Sequence, residues 1–245
     1  MKRVLPYNDI ELRLQQLDAG EVFDNSYFNI ESDKITTLAK LLSRKVEEGQ
    51  LARLAKGKYY KPKNTIFGTI APVSQQIINS FTQKNGKIIG YITGIKAYQE
   101  RRLTTQMPTI IDIAIQGKAK PFQKIGTYQF RFVTRNFSFT EAQVPFLQLL
   151  DALKDIKHIP DASVTETIQA LKAIMQQMTT GDVQVMVDLA KNYPPFVKAL
   201  LGAIVQEVQP NILLTPLFTA LNPLSVYKIG VKEKSLKFQK YWKIL

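Results

Sequence analysis

The stretch SDKITTLAKLLSRKVEEGQLARLAKGKYYKP, Ser32 to Pro62, constrains this chain more than any other, because it demands a helix, a stop and a hairpin in succession. Ser32 or Asp33 stands where a side chain accepts from a free N–H of the first helical turn. Ile35, Leu38, Leu42 and Val46 recur at spacings of three and four, with Leu41 beside them, which predicts one buried stripe. Lys34, Thr36, Thr37, Lys40, Ser43 and Arg44 fall off that stripe and make a polar, mostly basic outer face. Gly49 sits where a left-handed residue ends a helix. Gln50 to Leu54 and Lys58 to Lys61 are candidate strands that turn at Lys56-Gly57. Tyr59 and Tyr60 point to opposite faces, so the pattern predicts one packed and one exposed. Pro62, without an N–H, ends the pairing. A basic-faced helix followed directly by a basic hairpin is the layout of a winged helix-turn-helix. In that layout the helix enters a DNA major groove and the hairpin lies along the backbone or the neighbouring groove.

Charge supports the same partner. The 245 residues suffice for two modest domains or one large one, and 45% hydrophobic residues can bury a core. Thirty-three Lys and Arg against 20 Asp and Glu give a net +13, which favours nucleic acid, an acidic protein or a membrane surface. The excess is uneven. Lys34 to Lys63 holds nine basic residues and two acids, whereas Met1 to Asp33 holds three and seven, and Glu141 to Tyr227 five and eight. A second basic zone runs from Lys84 to Arg135, and a third is the tail from Lys228. The absence of cysteine excludes disulfides and thiolate metal sites, and a single histidine, His158, argues against zinc centres and histidine triads. No cofactor or metal is expected. The start MKRVLPYNDIELR lacks the apolar core of a signal peptide, and no uncharged apolar run is long enough to cross a bilayer. A cytoplasmic protein with no membrane partner is expected.

Along the chain, Asp9 to Leu17 reads as a first helix ended by Gly20. Val22 and Phe23 then anchor a segment in which Asp24 or Asn25 caps a short second helix. Phe67 to Pro72 is a linker or an entering strand, and Gln75 to Lys84 a short amphipathic helix. Ile88 to Ile92 reads as a strand, Gly94 to Arg101 as a helix and Leu103 to Pro108 as an extended exit. Thr109 to Gln116 and Gly126 to Thr134 alternate as strands of an antiparallel pair. Beyond Asn136 the chain turns helical. Thr140 caps a helix to about His158, and Ser163 or Thr165 one to about Gln177. Gly181-Asp182 starts another, and Pro195 opens one to Val208. The apolar run Asn211 to Val226 is core or a dimer surface. The expected class is therefore α+β and helix-rich. Residues 1–66 form a winged helix-turn-helix, and 67–245 a second domain with a small antiparallel β unit over 67–139 and a mainly helical part over 140–245.

Two pieces together, Leu51–Gly68 (LARLAKGKYYKPKNTIFG) and Gly90–Pro108 (GYITGIKAYQERRLTTQMP), resemble the AbiEi-type antitoxin family of bacterial type IV toxin–antitoxin systems. The matching positions are Arg53-Leu54, Gly57 to Tyr60 and Pro62, then Gly90-Tyr91, Gly94, Ala97, Leu103 to Gln106 and Pro108. Arg101-Arg102 departs from the less charged Leu-Gly-like step common there. The resemblance implies an antitoxin whose winged helix represses its own promoter, probed at inverted repeats in double-stranded DNA. It also implies a C-terminal part that counteracts a nucleotidyltransferase toxin, with or without stable contact.

The DNA-contacting candidates are Lys34, Thr36, Thr37, Lys40, Ser43 and Arg44 on the helix, with Arg53, Lys56 and Lys58 on the wing. Lys40 or Arg44 suits guanine edges, and the wing cations suit phosphates. Lys96, Arg101, Arg102, Arg131 and Arg135, with Thr104, Thr105 and Gln106, are either a second basic or antitoxin surface or ordinary surface and packing. An enzyme is not expected: Asp112 is a lone strand carboxylate without a second nearby in sequence, and no phosphate loop or nucleophile elbow appears. The competing expectation is a one-component winged-helix regulator whose C-terminal part binds a ligand or dimerises.

Overall fold

In the computed structural model, residues 7–66, 68–84, 86–232 and 235–245 are described. They fall into two compact units, one of residues 1–90 and 121–130 and one of residues 91–120 and 131–245. Helices and short antiparallel strands make this an α+β protein.

The first unit opens with α1 (Tyr7–Gln16), which buries Ile10 and Leu14 on one side, followed by buried Leu17. β1 (Val22–Asp24) comes next, an element without a local periodic signal. Asp24 accepts from the Ser26 N–H at 2.8 Å and starts a 3₁₀ turn over Asn25–Phe28. A second 3₁₀ turn, Ser32–Lys34, leads into α2 (Ile35–Glu47). Neither Ser32 nor Asp33 caps α2, because that turn supplies its first backbone bonds and places Lys34 at the boundary. The buried face is Leu38, Leu41, Leu42 and the stem of Lys45, while Ile35, in the first turn, is 41% exposed. Lys45 takes a stripe position because its ammonium reaches Glu11 at 2.9 Å and Glu48 at 3.6 Å while its methylenes pack. Gly49, at φ +71°, ends α2 as expected, with the Gln50 N–H returning to the Lys45 carbonyl.

β2 (Ala52–Ala55) and β3 (Lys58–Tyr60) form the hairpin, and β1 pairs with β3 on its other side, giving the order β1-β3-β2. Helix, strand, short helix, helix and hairpin, with the first strand beside the last, is the winged-helix arrangement. Its core joins Phe23, Phe28, Leu38, Leu42, Leu51 and Tyr59 to α1. Tyr59 and Tyr60 are both buried, contrary to the expectation of one exposed ring. Alternation places Tyr59 with the helical core and Tyr60 on the face shared with Lys58. That second face is covered, because α3 (Ser74–Thr82) packs on this sheet after the β4 (Lys63–Thr65) and β5 (Gly68–Ile70) hairpin. The expected boundary at 66/67 thus lies inside the first unit, which runs on through β6 (Gln83–Lys84) and β7 (Lys87–Ile88).

β8 (Gly90–Thr93), which enters the second unit at Tyr91, leads straight into α4 (Gly94–Glu100), and β9 (Ile110–Gln116) lies next to β8. The chain then supplies β10 (Gln123–Ile125) to the first unit, antiparallel to the start of β11 (Tyr128–Arg135). From Arg131 onward β11 belongs to the second unit, beside β9. A 3₁₀ turn then precedes α5 (Val144–Lys154), followed by α6 (Val164–Gln176), α7 (Thr180–Leu189), α8 (Pro195–Val208) and α9 (Thr215–Thr219). Ser163 caps α6 as expected, and Thr179 rather than Gly181-Asp182 caps α7, with Asp182 returning the bond. α8 is buried almost all round and contacts α5, α6, α7 and α9.

The basic tail is anchored rather than free. Trp242 is 1% exposed, stacks edge-on to Phe218 and Tyr241, and donates from Nε1 to Gln206 Oε1 at 2.6 Å. Its ring lies over Gly202 of α8, where a Cβ would come within 2.3 Å of it. Among the described residues no helix is long and apolar enough to cross a membrane. Trp242→Ala is expected to destabilise this unit by about 3–5 kcal/mol, and Gly202→Val by about 1–3 kcal/mol through overpacking. Denaturant unfolding followed by circular dichroism checks both, and wild-type stability in either variant would refute the anchor.

Candidate nucleic-acid interface

On α2, Thr36, Thr37, Lys40, Ser43 and Arg44 all face solvent on the side opposite the buried stripe. Lys34 is half-buried and lies 3.8 Å from Glu31, and Arg44 lies 3.4 Å from Glu48 one turn on. Exposed pairs of this kind are weak and yield readily to a phosphate. On the hairpin, Arg53 and Lys56 are exposed. Among the described residues, no hydrogen bond or ion pair holds Lys40, Arg53 or Lys56. The structure therefore sets a helix face and a wing turn of the same charge within one unit.

Lys58 departs from its expected role. Its ammonium donates to the Ser80 carbonyl at 2.9 Å and Ser80 Oγ at 3.0 Å, and sits 4.4 Å from the centre of the Phe81 ring. The strand alternation that buries Tyr60 turns Lys58 onto α3, so this cation fastens α3 to the wing sheet instead of facing outward.

Most of the charged residues expected as a second basic or antitoxin surface are engaged by partners within the second unit, although Arg131 itself stays exposed. Arg131 grips both oxygens of Asp112 from Nε and Nη2, the latter at 2.8 Å. Asp112 is 5% exposed, so this strand carboxylate is buried and paired with Arg131. Gly94 makes this possible: at φ +66°, its absent Cβ would fall 2.3 Å from Asp112 Oδ2. Arg101 donates twice to Gln148 Oε1, at 3.2 and 2.7 Å, and Lys96 pairs with Glu100 at 3.1 Å. Thr104 is buried and donates to the Pro160 carbonyl at 2.7 Å. Only Arg102, Thr105 and Gln106 of the group are exposed without such engagement. Arg102 has φ +59°, the left-handed position that closes α4 through the Leu103 N–H to the Tyr98 carbonyl.

Arg135 belongs to a network centred on Asp151, which is 2% exposed. Asp151 Oδ1 accepts from Arg135 Nη2 and from Tyr193 OH at 2.8 Å. Its Oδ2 accepts from Tyr91 OH at 3.0 Å and Thr93 Oγ1 at 2.7 Å. Arg135 Nε donates to Tyr91 OH at 2.9 Å, and its guanidinium lies between the Tyr91 and Tyr193 rings, 5.7 and 5.8 Å from their centres. Burial first, and then the Asp151 charge, push both tyrosine hydroxyls above their ordinary values, so they remain donors at neutral pH. Burial, the largest single influence, would lower Arg135, but the Asp151 charge together with Tyr91 and Tyr193 outweighs it and holds the guanidinium cationic. Sequence reading missed Asp151, Tyr193 and the inward roles of Tyr91 and Thr93, because no short motif spans them.

A family match covers residues 9–183, from α1 into the start of α7. The chain belongs to DUF6088, a family of unknown function. No curated protein matches the chain. The DUF6088 region includes the winged helix, Gly94 and the Asp151–Arg135 pair, whereas Tyr193, α8 and the Trp242 anchor lie beyond it.

The Asp151 cluster is expected to carry stability rather than contact a partner. Asp151→Asn strands a buried guanidinium and should cost about 3–5 kcal/mol, whereas Tyr193→Phe removes one of four donors and should cost about 1 kcal/mol. Denaturant midpoints measure both, and equal effects would show that the ion pair is not the dominant contact.

Proposed function

We propose that this chain is a DNA-binding autorepressor and antitoxin that acts in the cytoplasm on its own promoter and counteracts a nucleotidyltransferase-type toxin. The observation that carries the DNA part is the outward face of α2, with Lys40 and Arg44 one turn apart, on a winged helix whose hairpin presents Arg53 from β2 and Lys56 from the turn. Helix residues of this kind enter the major groove, and wing cations neutralise phosphates beside it. The antitoxin part is supported by the resemblance of Leu51–Gly68 and Gly90–Pro108 to AbiEi-type antitoxins. The inward roles of Tyr91, Thr93, Gly94 and Thr104 give that second segment a structural purpose. They leave Arg102, Thr105 and Gln106 as its outward candidates for neutralisation.

The full chain should shift its own promoter DNA, most strongly at inverted repeats. With about four phosphate contacts, affinity should fall about a hundredfold between 50 and 200 mM salt. Lys40→Ala with Arg44→Ala should weaken binding by about tenfold or more, and Arg53→Ala with Lys56→Ala should flatten the salt slope by about two. Salt-insensitive binding, or an unchanged slope in the wing variant, would sink the interface.

Co-expression with the product of the adjacent gene tests the antitoxin part. The wild-type chain should restore growth, and the full chain carrying Lys40→Ala, Arg44→Ala and Lys56→Ala should still restore it while a promoter reporter is derepressed. DNA binding without any rescue would favour a one-component regulator. Loss of rescue in the folded triple variant would contradict separate surfaces for the two tasks.

A further inference from the structure

We propose that the β4–β5 hairpin is a self-association arm through which two copies of this chain pair. Lys63, Asn64 and Thr65 lie opposite Ile70, Thr69 and Gly68, and together they make a two-stranded sheet. Every residue of β5 is exposed, so the first unit covers neither face of that strand. Ile66 is 93% exposed, Val73 58% and Ile70 48%. An uncovered two-stranded hairpin is marginal in water, and apolar side chains grouped on one gain most from a surface that buries them.

The hairpin's position leaves the DNA face free. β3 runs from the wing turn at Gly57 to Tyr60, and β4 begins three residues later, so the hairpin leaves from the end of the wing sheet remote from the turn. Its root is pinned there. The Gly20 N–H donates to the Lys61 carbonyl at 2.7 Å, and Lys61 Nζ donates to the Gln15 and Leu17 carbonyls at 2.9 and 2.8 Å.

Charge selects the occupant. From Asn64 to Gln83 there is no charged residue, in a chain of net +13, so Lys63 at the root of β4 is the one charge the hairpin carries. Nucleic acid or an acidic protein would be met by cations. Two copies of a strongly basic chain repel over most of their surface and approach best through a neutral patch. A two-fold axis sets each hairpin against its own counterpart, so Ile66 and Ile70 bury apolar surface on both copies at once. Such a dimer carries two α2 faces, which suits an inverted repeat. That consequence rests on the proposed DNA reading, whereas the pairing itself does not.

Sedimentation velocity on the full chain without DNA tests the pairing. The wild type should form dimers in a concentration-dependent way. Ile66→Lys with Ile70→Lys, at exposed positions that leave the circular dichroism spectrum unchanged, should raise the dimer dissociation constant by about tenfold or more. Leu224→Lys with Val226→Lys, at exposed apolar positions of the second unit, should leave it unaltered. The inference is overturned if the wild type stays monomeric to about 100 µM, or if the Leu224/Val226 variant alone dissociates. It is also overturned if the hairpin variant loses DNA affinity with no change in mass, which would make the hairpin a DNA contact. An intact dimer that fails to shift promoter DNA would refute the proposed function and leave this pairing standing.

Discussion

A carboxylate taken out of water must find partners for both oxygens, and the Asp151 side chain, on α5, is satisfied only when three other segments arrive together. Tyr91 and Thr93 come from β8, Arg135 from the end of β11 and Tyr193 from the turn before α8. Removing a charge from water costs several kcal/mol unless a counter-charge and hydrogen bonds replace the solvent. The network therefore penalises any packing of the second unit that displaces one of these segments. The Gly90–Pro108 segment reads differently in this light. Its Tyr91, Thr93, Gly94, Tyr98, Leu103 and Thr104 all point into the unit, where they pack or hydrogen-bond. Its particular residues answer first to the framework, and Glu100, Arg102 and Thr105 to Met107 are the ones exposed to solvent.

The basic residues of the first unit divide by the same physics. Of the nine between Lys34 and Lys63, Lys45, Lys58 and Lys61 are tied to Glu11, to Ser80 and to the end of α1. Lys40, Arg53 and Lys56 stay outward. A charge count taken from the chain thus overstates the surface field, because a lysine stem long enough to reach water is also long enough to reach a carbonyl across a sheet. What survives is a smaller, sharper patch that spans α2 and the wing turn.

Much of the local architecture was legible. The span of α8, the Ser163 cap, the Gly49 stop and the paired strands β2 and β3 all follow from periodicity, capping chemistry and turn residues acting within a few positions. β1 escaped because three residues carry no periodicity and only the Tyr60–Lys58 edge makes them a strand. The α2 cap and Tyr60 were misjudged for a related reason. A 3₁₀ turn took over the start of the helix, and α3 (Ser74–Thr82), well downstream of Tyr60, covered the face expected to be open.

Sequence alone determined most of the helices, the wing hairpin and which residues were candidates for an outward basic face. These depend on spacings of two to four residues and on backbone needs that a single side chain meets. Only the tertiary structure decided which cations face outward and which are consumed. The partners of Arg131, Arg135 and Lys58 lie 19, 16 and 22 residues away, and Tyr91 meets Asp151 across 60. Over such separations nothing in the local pattern selects one carboxylate or carbonyl from another. The choice is made when burial removes water and each charge must be matched by whatever the fold has brought beside it.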